Sequence, residues 1–503
     1  MSRLIKEDSI FDEIKVEGEW WLPDTPDKSS RGTLIGKESE DFVLTTFEDL
    51  EQIDDPFSAN QNYELIILGE SKEGELYTLL LCFNFNHPIS RLWKTKTTDY
   101  YYTVNRIVVG AHFHSYRDLS FDKIAFGISN LEEWHCASAF KEKWDSEKHC
   151  VELTYNRPQT VTILDNENIS ARIEYCYQTI THEAALKSAT IKHVARIVIQ
   201  SKQSGIPLED YDNSGKPYLF DYVSKIISFI KFGVQKEIYS YDLTVYIDEI
   251  RNQIDPKYDY PMRLYRMIRP NSDLTPKHYS EMLFSWRNVA STPQEYFQKW
   301  LDITDDIKMP LSLYFSSFDL KSDKTIRFLQ LVQGLEGYHR ARYQEQSIPS
   351  EYHLSVVEKI LEACPEDKVE ISEGKKIKLK KWLKSQLSHS HEPSLENRLQ
   401  QLFNKRLELV KWLTEETENK PKTMNKFAAL IATKRNDFSH RFIKEKIELT
   451  NDRLVQTIIL MRLVFVLLFL EELGFTNDQI KGIFLNHSET KHFRQLLSKY
   501  PME

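Results

Sequence analysis

Over roughly the first 200 residues, short apolar runs alternate with polar turn segments, the pattern of half-buried strands. Tyr63 to Leu68 and Leu76 to Phe83 flank Ser71-Lys72-Glu73-Gly74, and this pair predicts a β-hairpin. Runs at Tyr100 to Val109, Val151 to Tyr155 and Val194 to Ile199 continue the texture, so a sheet-rich sandwich or barrel is expected. A mixed stretch follows. It holds a helix from Pro217 to about Phe232, entered through Ser214-Gly215-Lys216-Pro217, and a strand from Ile238 to Ile247.

From about Thr325 the period becomes helical, with Leu395, Leu399, Leu402, Arg406, Leu409 and Leu413 marking one amphipathic face. The spacing predicts helices over Thr325 to Tyr343, Glu351 to Ala363, Lys378 to Leu387, Leu395 to Leu413, Pro421 to Lys434 and Asn451 to Leu473. Thr450-Asn451-Asp452 suits the cap of the last, and Gly474 suits its C′ position. Short polar connections argue for an up-and-down bundle. The expected fold class is α+β, a sheet-rich N-terminal region followed by a C-terminal α-helical bundle. Boundaries are expected at 1–200 for a β-rich sensor or recognition domain, 201–320 for a mixed α/β part of the N-terminal region or connector, and 321–503 for the bundle.

A chain of 503 residues exceeds the ~250–300 at which single cores stop growing, which agrees with more than one domain. With 41% hydrophobic and 28% charged residues, 15 glycines and 18 prolines, it has the composition of a folded protein. The net charge of -9 excludes a chain that coats nucleic acid by charge alone, so any such site must be local. Met1-Ser2-Arg3-Leu4-Ile5-Lys6-Glu7-Asp8 lacks the apolar run of a signal peptide, and a cytoplasmic location is expected. Cys82, Cys136, Cys150, Cys176 and Cys364 are odd in number and scattered, as reduced thiols are. The longest apolar stretch, Ile458 to Leu470, is shorter than the ~20 residues that span a bilayer and contains Arg462, so it reads as a buried helix and no membrane partner is expected.

Arginine followed after four to six residues by histidine occurs twice. Arg106 and His112 sit in Arg106-Ile107-Val108-Val109-Gly110-Ala111-His112, whose β-branched residues read as a strand. Arg435 and His440 frame Arg435-Asn436-Asp437-Phe438-Ser439-His440, between two predicted helices. Cleaving RNA by its own 2′-hydroxyl needs a proton acceptor near neutral pH, a proton donor for the leaving 5′-oxygen and positive charge at the phosphate. His440 supplies proton transfer, and the planar fork of Arg435 can hold two phosphate oxygens. Asn436, four positions before His440, is placed to orient it, and Asp437 either tunes the site or is solvated. Positions five apart on an α-helix diverge by about 140°. Either the helix breaks near Arg435 or a second protomer completes the site. Phe438 and Phe442 read as packing residues.

Arg-Asn-x-x-x-His in a C-terminal helical bundle resembles the HEPN superfamily of RNases. The whole layout, some 300 sheet-rich residues before the bundle, resembles the ApeA-type anti-phage HEPN proteins of bacteria. The resemblance implies an RNase acting in abortive defence, two bundles paired across a two-fold axis, and an N-terminal region that senses an unknown phage-derived trigger. RNA is the implied partner, and tRNA fits because its loops present unstacked bases. Leu460, Leu463, Val464, Phe465, Leu467 and Leu468 supply either a dimer interface or core. No cofactor or metal is expected.

Other signals are less specific. Lys375, Lys376, Lys378, Lys380, Lys381 and Lys384 crowd around Trp382, as either an RNA-binding patch or a solvated helix face. Trp134-His135-Cys136 and His149-Cys150 carry zinc-ligand types at a spacing that matches no common zinc pattern. His112 and His114, two apart on the predicted strand, are expected to face one side. Trp20, Trp21, Trp93 and Trp134 serve either recognition or core packing. No phosphate-binding Gly-rich loop and no His-Glu-x-x-His occurs. The rival reading is a non-catalytic binding protein whose bundle only dimerises.

Overall fold

The structure, a computed structural model, describes residues 7–51, 64–84, 99–180, 190–250, 257–268, 275–318, 322–343, 349–364, 368–372, 375–388, 390–406, 408–409, 421–440 and 451–499. It divides into two compact units, 1–301 and 302–503.

The first unit begins as a closed six-stranded antiparallel barrel of β1 (Ile14–Trp21), β2 (Ser30–Gly36), β3 (Phe42–Thr46), β4 (Leu65–Ser71), β5 (Leu76–Asn84) and β6 (Tyr100–Val104). β4 and β5 are the expected hairpin. Pairing of Phe83 with Thr103 and Asn84 with Tyr102 closes the barrel, which removes two exposed sheet edges. Alternate residues point inward, so Trp20, Leu34, Phe42, Leu44, Ile67, Leu79 and Tyr102 form one core. Gly69 is required there, because a Cβ at that position would lie 2.2 Å from the Trp20 ring.

The predicted run Tyr100 to Val109 is two strands, since after Asn105 the chain leaves the barrel as β7 (Arg106–Val109). β5 serves both structures. Its Tyr77–Leu80 stretch pairs with β7 and its Phe83–Asn84 end with β6. Between them Leu81 adopts φ +52, and its N–H donates to the Tyr116 hydroxyl at 3.1 Å. The chain continues through β8 (Ser120–Phe121), β9 (Lys123–Ile128), β10 (Phe140–Asp145), β11 (Cys150–Tyr155), β12 (Val161–Asp165), β13 (Ile169–Ile180), β14 (Thr190–Ser201), β15 (Ile206–Pro207), β16 (Ser240–Tyr246) and β17 (Met262–Arg266). From β7 the sheet proceeds in the order β17, β16, β9, β14, β13, β12. The segment 201–320, expected as part of the N-terminal region or a connector, places β16 and β17 inside this sheet, and the unit ends at Leu301. β10 and β11 form a separate ribbon.

Three helices complete the unit's core: α1 (Leu131–His135), α2 (Leu219–Val234) and the short α3 (Trp286–Val289). The expected helix from Pro217 thus starts two residues later. The opening turns of α4 (Pro293–Asp306) set Trp300 parallel to Phe232 at 5.3 Å, with the indole N–H donating to Ser228 at 2.8 Å.

The second unit contains α5 (Lys308–Ser316), α6 (Lys324–Arg342), α7 (Ser350–Glu362), a hairpin of β18 (Lys368–Ser372) and β19 (Lys375–Lys378), α8 (Leu379–Leu387), α9 (Leu395–Asn404), α10 (Pro421–His440), α11 (Asn451–Glu472), α12 (Asn477–Asn486) and α13 (Ser488–Lys499). α11 is apolar on all sides because it is the centre of the unit. Leu460, Leu463, Val464, Phe465, Leu467 and Leu468 are each at most 1% exposed, so they are core and not a surface for a second copy. It is long and apolar enough to cross a membrane, but it is 83% buried. Gly474, at φ +88, ends it as expected: its N–H donates to Glu471 and that of Phe475 to Leu470, the paired bonds of a Schellman cap. Thr450, Leu413 and Phe442 lie outside the described residues.

Buried polar contacts fix the register of α6. Tyr338 and Arg342 both donate to Glu472, at 2.8 and 2.6 Å. Arg398, itself buried, donates to His339 Nδ1 at 3.3 Å, so His339 Nε2 carries the proton and donates to Gln401.

Candidate active site

α10 carries the Arg-Asn-x-x-x-His segment. Met424, Phe427, Ala428 and Ile431 repeat at helical spacing and are buried, which docks this helix on α6 and α9. The helix was expected to stop at Lys434, with the polar run beyond it a connection. It continues to His440 because the buried face does: Lys434 follows Ile431 and is 9% exposed, and the Phe438 ring meets Phe328 edge-on at 5.4 Å.

This continuity removes the alternative of a break near Arg435. Residue 440 stands about 140° around the helix from residue 435 and about 7.5 Å further along the axis. One copy of α10 therefore does not bring the two positions together. His440 closes the helix, and its side chain lies outside the described residues.

The four motif residues have different surroundings. Arg435 is half-buried, and its Nη1 donates to Asn436 Oδ1 at 3.2 Å. Among the described residues it forms no ion pair, which leaves its charge available to an anion. Asn436 is exposed, one turn before position 440. Asp437 is not simply solvated: Lys434 Nζ lies 3.1 Å from its Oδ2. Sequence reasoning missed that contact because the expected helix stopped at Lys434, which left Asp437 beyond it and hid a lysine–aspartate pair three apart on one helix.

Residues 15–300 match the family model for ApeA N-terminal domain 1, and residues 329–479 match that for Apea-like HEPN. The chain belongs to the ApeA-type HEPN family. The N-terminal match takes in the barrel and its sheet; the HEPN match runs from within α6 into α12 and includes all of α10. HEPN domains are generally RNases and commonly dimerise and bind RNA. No curated protein and no solved structure matches the chain.

The remaining candidates are dispersed. Lys375, Lys376 and Lys378 stand on β19, whereas Lys380, Lys381, Trp382 and Lys384 stand on α8, so the lysine-rich segment is a hairpin strand turning into a helix. His135 is buried at the end of α1, where both ring nitrogens lie near the Tyr175 hydroxyl at 3.0 and 3.1 Å. Burial pushes its pKa down to about 4. His149 and Cys150 sit at the turn of the β10–β11 ribbon, and Cys136 follows α1 at φ +58. Among the described residues, no group of three His, Cys, Asp or Glu side chains is arranged to hold a metal ion.

The strand expected to reach His112 ends at Val109, because Gly110 takes φ +117. His112 instead contacts the Gly69 carbonyl at 2.9 Å, and His114 is exposed. Arg106 pairs with Glu209 and covers Phe220, a structural role. Trp20 and Trp134 are fully buried core residues, which corrects their recognition reading; Trp21 is half-buried, and Trp93 lies outside the described residues.

Proposed function

We propose that this chain is a metal-independent endoribonuclease, with Arg435 and His440 acting from two copies of α10 at a site completed by dimerisation. The observation that carries the reading is Arg435, a guanidinium without a carboxylate partner among the described residues, on the exposed end of a HEPN helix with histidine five positions on. His440 accepts the proton of an RNA 2′-hydroxyl. The 2′-oxygen then bonds to phosphorus as the bond to the 5′-oxygen breaks, and the protonated His440 gives its proton to that leaving oxygen, so the products are a 2′,3′-cyclic phosphate and a 5′-hydroxyl. Arg435 of the other copy binds the phosphate oxygens, with bonds that strengthen as negative charge develops. Asn436 orients His440, and Asp437 holds the helix end through Lys434.

The proposed setting is the bacterial cytoplasm, in defence by abortive infection, with tRNA as a fitting substrate. The N-terminal unit senses a phage-derived trigger. A cleft of about 900 Å³ on the barrel, lined in part by Trp21, Arg31, Phe47 and Lys72, is where such a ligand would find both aromatic and charged contacts.

Purified protein incubated with total RNA tests the reading, with and without EDTA and beside His440→Ala. Cleavage by the wild type in both conditions, and none by the variant, is expected. Wild-type protein that binds RNA or dimerises but never cuts would leave the non-catalytic reading standing.

A further inference from the structure

α8 shows an arrangement that the catalytic reading does not use. Lys378 caps it and Lys380, Lys381 and Lys384 lie on it, all exposed and all without an ion pair among the described residues. Elsewhere in the second unit Arg340, Arg342, Arg398, Arg406, Arg462 and Lys481 each pair with a carboxylate. No aspartate or glutamate occurs from residue 375 to 391, so no neighbour in sequence neutralises the patch.

The helix explains the exposure. Leu379, Leu383 and Leu387 recur at four-residue spacing and form its half-buried row, packed toward α7. Lys380 and Lys384 then fall on one line, about 6 Å apart along the axis; Lys381 stands between that line and Trp382, which lies about 100° beyond Lys381 and about 160° from Lys380 and Lys384. Trp382 remains 48% exposed. An apolar ring of that size left in water, with Lys381 next to it and Lys378 one turn before it, suits a ligand that offers an anion and a flat π-face at each repeat.

We propose that α8 is a binding surface for single-stranded RNA, in which the lysines hold successive phosphates and Trp382 stacks on a base. The proposal rests on the RNase reading for its biological sense and names how the substrate is held. An acidic protein would not call for an exposed indole. An anionic membrane would use the same lysines, and the test separates the two.

The test uses the full chain carrying His440→Ala, so that RNA is not consumed, with a fluorescein-labelled oligouridylate read by anisotropy. Replacing Lys380, Lys381 and Lys384 together by glutamine should weaken binding and lower the slope of log affinity against log salt by about 2, at ~0.7 per phosphate contact. Trp382→Ala should weaken binding about 5- to 100-fold and Trp382→Phe far less, because stacking survives in phenylalanine. All four side chains are exposed, so circular dichroism should be unchanged. Equal affinity and salt slope in the lysine variant would overturn the proposal. So would lysine-dependent binding to phosphatidylserine vesicles with no lysine dependence toward RNA. Wild-type protein that cuts RNA while the α8 variants bind normally would remove only this surface; lysine-dependent binding by a protein that never cuts would remove the RNase reading and keep the surface.

Discussion

Replacing Asp437 by alanine separates a structural from a catalytic role for this residue. Lys434 is the charged residue of the buried α10 face, with 11% of its side chain exposed, and Asp437 Oδ2 lies 3.1 Å from its Nζ, with 25% exposed. Coulomb's law at an effective dielectric of about 20 gives roughly 5 kcal/mol for that separation, most of which is offset by desolvation and by ordering two side chains. Exposed pairs contribute about 0.2–1 kcal/mol, whereas breaking a buried pair costs about 3–5. This intermediate pair should fall between them, so Asp437→Ala should cost about 2 kcal/mol. Lys434→Met keeps the apolar stem and removes the charge, and should cost under about 1 kcal/mol. The double variant should be no worse than Lys434→Met alone, a coupling of about 2 kcal/mol. A global melt would mix two units, so the suitable assay is hydrogen exchange read by mass spectrometry on peptides from residues 424–438. If the role is structural, the double variant also regains cleavage lost in Asp437→Ala. Exchange in Asp437→Ala indistinguishable from wild type, or strict additivity in the double variant, would refute the reasoning.

His135 gives a pH prediction for the first unit. Its pKa in the folded protein is about 4, below the ordinary 6.5, so between those values the unfolded chain binds the extra proton. Stability is therefore fully present above pH 6.5 and lost as pH falls toward 4, by about 2 kcal/mol at pH 5. Tryptophan-monitored unfolding should show this loss and His135→Phe should flatten it; an identical profile in the variant would count against it. If the N-terminal unit holds the RNase bundle inactive until its trigger binds, residues 302–503, expressed alone in bacteria, should be more toxic than the full chain and lose that toxicity with His440→Ala. A folded, dimeric and harmless fragment that binds no RNA would make the N-terminal unit a substrate-binding domain instead.

Periodicity made several α-helices of the second unit legible: α6, α7 and α8 begin and end within a residue or so of expectation, whereas α5, α12 and α13 were not expected and α9 ends at Asn404 rather than running on toward Leu413. It failed at α10, because Lys434 and the polar residues after it conceal a buried face that continues through Phe438. The short hairpin β18–β19 went unread because its lysines suggested a helix face. Barrel closure was not legible at all. It depends on β5 changing partners at Leu81, a long-range event that no local pattern encodes. Of the candidate site, the residue types and their spacing were visible in the sequence. The unpaired state of Arg435 and the hold of Lys434 on Asp437 depend on which side chains the fold brings near.

One continuous helix holds Arg435 and His440 about 140° apart, which in the proposed site requires them to act from different copies of α10. Mixing two inactive proteins, Arg435→Ala and His440→Ala, at equal concentration tests this directly. A mixed dimer pairs one intact arginine with one intact histidine. With free exchange of subunits about half of the dimers are mixed and each has one of two sites restored, so RNA cleavage at about a quarter of the wild-type rate is predicted. No cleavage by the mixture, with subunit exchange demonstrated and the wild type active, would contradict the claim.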